Sequence, residues 1–429
     1  MEKRNKRHVN RVKKLVICCF MCAIILGAST YAWFVGMKTV NVSSFDVEIA
    51  AIDGLSLSLD GETWSDSVSI TKSTFDTASY EGNTNSWGGT GLIPISTVGK
   101  IDKTSSRMVM YEKGSLTTTH GGFRLMASQV QNGADAAGET DGYVAFDLFV
   151  KNLSGNEYYD GLANVLNEEA IYLTIDSGVK VATDGGVANT GIENSVRVAF
   201  AQIGRVIATT DTPSVITGIS CTSDTNVTAI CEDRDAQIWE PNDTKHVTNA
   251  INWYNTSCKK RTGADLTADE SYSGACNTVA DGNSYATYAV SGVIDYTDKI
   301  DVYDGTDYNG YGDSIATAAT KGKLMAYNYF TDTEKNYAGT LRPTFINLAP
   351  NSITKIRIYV YIEGQDVDNY DFASLGKKIS VAFGFTKERY FDEDVNYDPT
   401  DTATLPSDVI KDEHDGTNSS TPAEENGGV

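Results

Sequence analysis

Proline is scarce in this chain, with 8 in 429 residues, and histidine is scarcer at four. Long amphipathic helical patterns are hard to find, which argues against an all-α fold. Four histidines (His8, His120, His246 and His414) leave little material for imidazole metal sites. No H-E-x-x-H sets two of them on one helical face, and "TTTHGG" and "NDTKHV" read as polar loops carrying solvated His120 and His246. There is no G-x-S-x-G elbow for a serine nucleophile, and "GDSI" at Gly312 to Ile315 lacks the strand that should precede it. Neither G-x-G-x-x-G nor a phosphate-binding P-loop occurs. The expectation is a protein that is not an enzyme and holds no cofactor, with Ca2+ as the one inorganic candidate.

Positive charge is also thin outside the extreme N-terminus. The formal net charge is −22, and the first 14 residues hold seven Lys/Arg against Glu2. The remaining body is therefore more acidic than the whole. Such a body repels phosphate backbones and anionic lipid, which excludes nucleic acid as a partner and a peripheral membrane-surface role. It favours solubility and tolerates divalent cations. "DGTDYNGYGD" sets Asp304, Asp307, Asn309 and Asp313 on one loop, and "DEDVNYDPTD" sets Asp394, Asn396 and Asp398 at alternate positions. Oxygen-rich loops of this kind suit calcium, but neither carries the Gly and Glu spacing of an EF-hand, and acidic surface turns are the ordinary account in a chain this acidic.

What the chain does have begins with a basic start, "MEKRNKRHVNRVKK", and an uncharged run over residues 15 to 37. At about 1.5 Å per residue the run could span a bilayer as a transmembrane anchor. It also fits a signal peptide, with small residues Thr30 and Ala32 ahead of a cut before Trp33. Both readings export the body, to the extracellular space or the cell surface, tethered if the helix is retained. Of seven cysteines, Cys221, Cys231, Cys258 and Cys276 lie beyond this segment. An even number in an exported chain implies disulfides, and the shortest loops pair Cys221 with Cys231 and Cys258 with Cys276.

With 38 glycines and 23 tyrosines, the body reads as strands joined by turns. Six runs alternate with period two: Phe45, Val47 and Ile49; Leu55, Leu57 and Leu59; Val144, Phe146, Leu148 and Val150; Val196, Val198 and Phe200; Ile356, Ile358, Val360 and Ile362; Ile379, Val381, Phe383 and Phe385. In the fifth, Arg357, Tyr359, Tyr361 and Glu363 are expected outside. Such runs predict an all-β sandwich or barrel. The expected division is 1-32 as signal peptide or transmembrane anchor, 33-202 as the first part of the sandwich, 203-340 as an insertion carrying the four cysteines, 341-391 as the last part, and 392-429 as a disordered acidic tail. Residues 154 to 170 could form a short helix. Trp64, Trp87, Trp239 and Trp253, beside polar segments, raise glycan binding, though strand pairing and loop packing explain such aromatics equally well.

The apolar segment ending in Thr30-Tyr31-Ala32-Trp33-Phe34, followed by the strand Phe45 to Ala50, resembles the TasA/camelysin family of exported surface and biofilm-matrix proteins of Gram-positive bacteria. "YVAFDLFVKN", "IENSVRVAF", "IWEPND" and "LAPNSITKIRIYVYIEGQD" look like strands and turns of related clostridial surface proteins. The resemblance covers about half the chain, in islands. It implies a jelly-roll body, processing by a dedicated signal peptidase, and self-assembly into a fibre in the cell envelope or matrix. The N-terminal strand of one copy, with Phe45, Val47 and Ile49, would complete the sheet of the next; the other reading pairs that strand within its own chain. Some camelysin-like members are classed as metallopeptidases, for which this sequence lacks the histidine spacing. The chain departs from the family in its length, its insertion and its cysteines. A structural fibre or matrix subunit is the first expectation, an anchored or secreted glycan-binding adhesin the second.

Overall fold

Period-two apolar alternation needs two sheets to bury it, and the structure supplies both. This is a computed structural model, and it describes residues 42–51, 54–76, 86–87, 91–119, 122–130, 139, 142–154, 168–181, 190–222, 230–252, 287–290, 324–327, 329–369 and 377–388. One sheet contains β1 (Val42–Ala51), β3 (Ser67–Ile70), β11 (Glu169–Leu173), β12 (Gly178–Val181), β18 (Ile346–Leu348) and β20 (Lys377–Thr386). The larger sheet contains β2 (Leu55–Ser58), β4 (Ser86–Trp87), β5 (Pro94–Ser96), β8 (Tyr111–Thr119), β9 (Gly122–Gln129), β10 (Val144–Asn152), β13 (Val196–Ile207), β14 (Gln237–Glu240), β17 (Phe330–Thr331) and β19 (Ser352–Glu363). Two small ribbons complete the described strands: β6 (Ile101–Asp102) with β7 (Arg107–Met108), and β15 (Thr287–Val290) with β16 (Leu324–Tyr327). The fold is all-β, and most ladders are antiparallel. Parallel pairs join β1 to β20, β5 to β19 and β14 to β17.

The six alternating runs meet in one core. Val144, Phe146, Leu148 and Val150 of β10, Val196, Val198 and Phe200 of β13, and Ile356 to Ile362 at alternate positions of β19 face Val47 and Ile49 of β1 and Ile379, Val381, Phe383 and Phe385 of β20. Leu55 and Leu57 join them, with Leu59 at the margin. Phe200 stands edge-on to Phe345 and Phe383, with ring centroids 4.8 and 5.1 Å apart. Each fully buried side chain of this kind contributes about 1.5–3 kcal/mol.

The second face of the large sheet departs from the expected pattern. Arg357, Tyr359, Tyr361 and Glu363 are not outside: all twelve positions of β19 are buried. A second apolar cluster covers them, built from Ile95, Met108 and Met110, from Ile216, Ile219, Cys221, Cys231 and Ile238, and from Tyr329. Charged groups on that face are paired rather than hydrated. Asp147 stands opposite Arg357 across β10 and β19, with Arg357 Nε 2.8 Å from Asp147 Oδ1 and Lys355 Nζ 3.2 Å from its Oδ2. Tyr143 Oη and Tyr359 Oη donate to Glu139 at 2.6 and 3.0 Å.

Part of the same layer comes from the segment expected as an insertion. The boundary between 202 and 203 falls inside β13, where a bulge at Gln202/Gly204 shifts the register, so that Val206 joins Ala199, Ala201 and Ile203 in the outer cluster. β14 and β17, drawn from 203-340, are strands of the large sheet, and Trp239 is fully buried in the inner core. Ile216, Ile219, Cys221, Cys231 and Ile238 of this segment pack in the outer layer, and β14 and β17 add to the sheet, because they cover apolar surface that an exposed sheet face would leave in water. Residues 154 to 170 lie mostly outside the described residues, and Glu169 and Ala170 at their end belong to β11.

Candidate functional site

At one end of β13 and β19, five segments of chain converge on a buried polar cluster. The chain enters β13 through Gly191, at φ 79°, and the short 3-10 helix Ile192–Ser195. A Cβ at Gly191 would lie 2.7 Å from Asp368 Oδ1, so this approach requires glycine twice over, for space and for backbone conformation. Pro241 ends β14 directly after Glu240, because it has no N–H to continue the ladder. β19 ends at Glu363 in the turn Gly364–Asn369, where Asp368 N–H donates to Asp366 Oδ1 at 2.8 Å and Gln365 N–H to Glu363 Oε1 at 3.1 Å.

Arg197 is the hub. It is fully buried, and its guanidinium donates to Glu240 and, at 2.6 Å, to Asp366 Oδ2. It also donates to the carbonyls of Asn194 and Val196 at 2.9 and 3.0 Å and lies over the Tyr329 ring. Asp368 holds the segment that follows β14. It accepts from Val247 N–H at 3.0 Å, from His246 Nδ1 at 2.9 Å and from Asn194 Nδ2 at 3.4 Å. A carboxylate partner fixes the His246 tautomer with its proton on Nδ1. Tyr329 Oη donates to Glu363 Oε2 at 2.7 Å.

Burial dominates the electrostatics here. Desolvation pushes Glu240 up to about 8, against the pull of Arg197. It pushes Glu363 up to about 7, again opposed by Arg197, and Asp368 up to about 6, opposed by His246. For His246 burial lowers the value, but the hydrogen bond to Asp368 and the surrounding carboxylates outweigh it and the net shift is upward. Protons therefore bind more tightly to the folded cluster than to the unfolded chain.

His246, Asp366 and Asp368 bring three ligand-type atoms within 4.8 Å of one another, the one such grouping among the described residues. Their wiring is that of acceptors already in use. Both oxygens of Asp368 accept protein donors, and those of Asp366 accept Arg197, Asp368 N–H and Ser195 Oγ. A cation would have to displace these donors. What the group does as it stands is hold chain segments together and hold protons.

His246 is therefore not a solvated loop residue: it is 6 % exposed and bonded to an aspartate 122 positions away. Its local sequence, "NDTKHV", carries no sign of that partner. The expected disulfide Cys221–Cys231 is present and buried in the outer cluster. Cys258 and Cys276 lie outside the described residues, as do the cleavage candidates Ala32 and Trp33, the calcium candidates Asp304, Asp307, Asn309 and Asp313, and the second acidic run at Asp394. β1, with Phe45, Val47 and Ile49, lies between β20 and β3 of its own chain. Of the tryptophans considered for glycan binding, Trp239 is a core residue whose Nε1 donates to Asp332 at 2.9 Å, Trp64 is half-buried beneath Lys151 Nζ at 4.1 Å, Trp87 is in β4, and Trp253 is outside the described residues. Among the described residues no helix is long and apolar enough to cross a membrane.

No family model, no curated protein and no solved structure matches the chain.

Proposed function

We propose that the chain is an exported, non-enzymatic surface protein of jelly-roll type, a subunit of an extracellular fibre or matrix that assembles through its N-terminal strand. The observation that carries this reading is the seating of β1. It makes nine register pairs with β20, from Val42 opposite Lys377 to Ala51 opposite Phe385. Val47 and Ile49 lie in the core, yet the groove they fill is made by strands from elsewhere in the chain, β20 and β3. A strand that fills such a groove can be exchanged for the same strand of a neighbour, with main-chain hydrogen bonds giving affinity and alternating side chains giving fit. The buried Cys221–Cys231 bridge and the basic, then apolar, N-terminus support export to an oxidising compartment.

Electron microscopy of the purified chain is expected to show fibres; monomers alone at high concentration would overturn the reading. A lock sharpens the test. Ser44 is opposite Lys378 in register, so a Ser44→Cys, Lys378→Cys variant can tie β1 to its own sheet. The oxidised variant should stay monomeric while the parent assembles.

A further inference from the structure

We propose that the buried cluster at the end of β13 and β19 is a proton-operated latch: it closes the turn Gly364–Asn369 onto residues 242–247 when protonated, and loosens that contact as the surroundings become alkaline. The charge count carries this. Glu240, Glu363, Asp366 and Asp368 are all buried, and the permanent cation among them is Arg197. Asp243, buried and bonded to Thr333 Oγ1, adds a further acid from the turn after β14, and Lys245 of the same turn is exposed and donates to Asn242 Oδ1 at 3.3 Å. The short helix Asp332–Lys335 after β17 carries Glu334 and the pair Lys335–Asp332, 3.1 Å apart, and the Tyr329 and Tyr361 rings close the cluster. Four carboxylates against one guanidinium leave an excess of buried negative charge that His246 offsets by a single unit even when protonated. Desolvated charge of one sign is relieved by taking up protons or by opening to water.

The geometry says what opens. Asp368 joins the turn after β19 to His246, to Val247 N–H and to Asn194, and Gly191 packs against it. Once Asp368, His246 and Glu240 are all deprotonated, the repulsion falls on this contact. The released part is the stretch around His246 and Val247, between Asn242, bonded to the Val179 carbonyl, and Ala250 and Ile251, which stay in the inner core. The direction agrees with the shifts: Glu240, Glu363, Asp368 and His246 all bind protons more tightly when folded, so their stabilisation is complete below the unfolded values and lost as pH rises through the folded ones, about 6 for Asp368, about 7 for Glu363 and about 8 for Glu240.

Hydrogen exchange of the full chain with chelator present, followed by peptide and corrected for intrinsic rates, tests this. Between pH ~6 and pH ~8.5, exchange in 243–249 and 364–369 should speed up about tenfold or more while the centres of β10 and β19 hold steady. A Glu240→Gln, Glu363→Gln variant, which needs no protons at two positions, should lose most of that pH response. Uniform acceleration, no acceleration, or an unchanged response in the variant would overturn the latch. So would slow exchange restored at high pH by micromolar zinc or millimolar calcium, since a metal ion would then balance the cluster. Should the variant not fold, the wild-type peptide pattern decides alone.

Discussion

A single guanidinium, Arg197, joins β13, the end of β14 and the turn after β19, through Glu240 and Asp366. Replacing it by methionine keeps much of the volume and removes the charge that two buried carboxylates depend on. The expected cost is about 3–5 kcal/mol at neutral pH. It should be smaller in acid, where Glu240 can take a proton, so denaturant unfolding at two pH values checks both magnitude and sign. Gly191→Ala should cost roughly 1–3 kcal/mol, because a side chain is forced into a left-handed conformation against Asp368. None of this was legible in the sequence. Arg197 meets partners 43 and 169 positions away, and His246 meets Asp368 at 122, distances over which local patterns carry no information.

β19 shows how much a single strand can reveal and where it stops. Its alternation placed Ile356, Ile358, Val360 and Ile362 on the inner face correctly, since period two is a property of the strand itself. The opposite face is not legible in the same way, because polar residues there pair with polar partners under a second layer that only the tertiary fold supplies. A consequence is that Tyr361→Ala, a change an exposed position would tolerate, should destabilise by about 3–5 kcal/mol, in the range of Ile358→Ala or above it. Thermal or denaturant unfolding of the two variants side by side checks this. In the covering layer, replacing Cys221 and Cys231 by serine opens a short loop and should cost about 2–3 kcal/mol in unfolding experiments.

For the molecule as a whole, six alternating strands were legible and the shorter ones that complete the two sheets were not: strand pattern is local, whereas membership of a sheet depends on what covers it. Opposed titrations also act at this scale. Asp60 and Glu169 are pushed up by burial, but hydrogen bonds from Thr63, Glu62 and Ser58 in the first, and from Ser154, Asn152 and Lys387 in the second, outweigh it and hold both below the usual carboxylate range. Their stabilisation is present above the unfolded values and lost as pH falls through the folded ones. Together with the latch, this predicts a melting temperature that is highest close to the ordinary carboxylate range, at about pH 4, and declines on both sides, read by calorimetry across a pH series. The parallel pairing of β1 and β20 has a mechanical side. Val42 and Lys377 share one end of the pair and Ala51 and Phe385 the other, so the flank before β1 leaves at the opposite end from the flank after β20, about 30 Å away. Tension between the two flanks therefore loads the ladder lengthwise, in shear. Its hydrogen bonds must fail together rather than peel one at a time, which makes this strand pair the element that sets how much pull the folded body withstands.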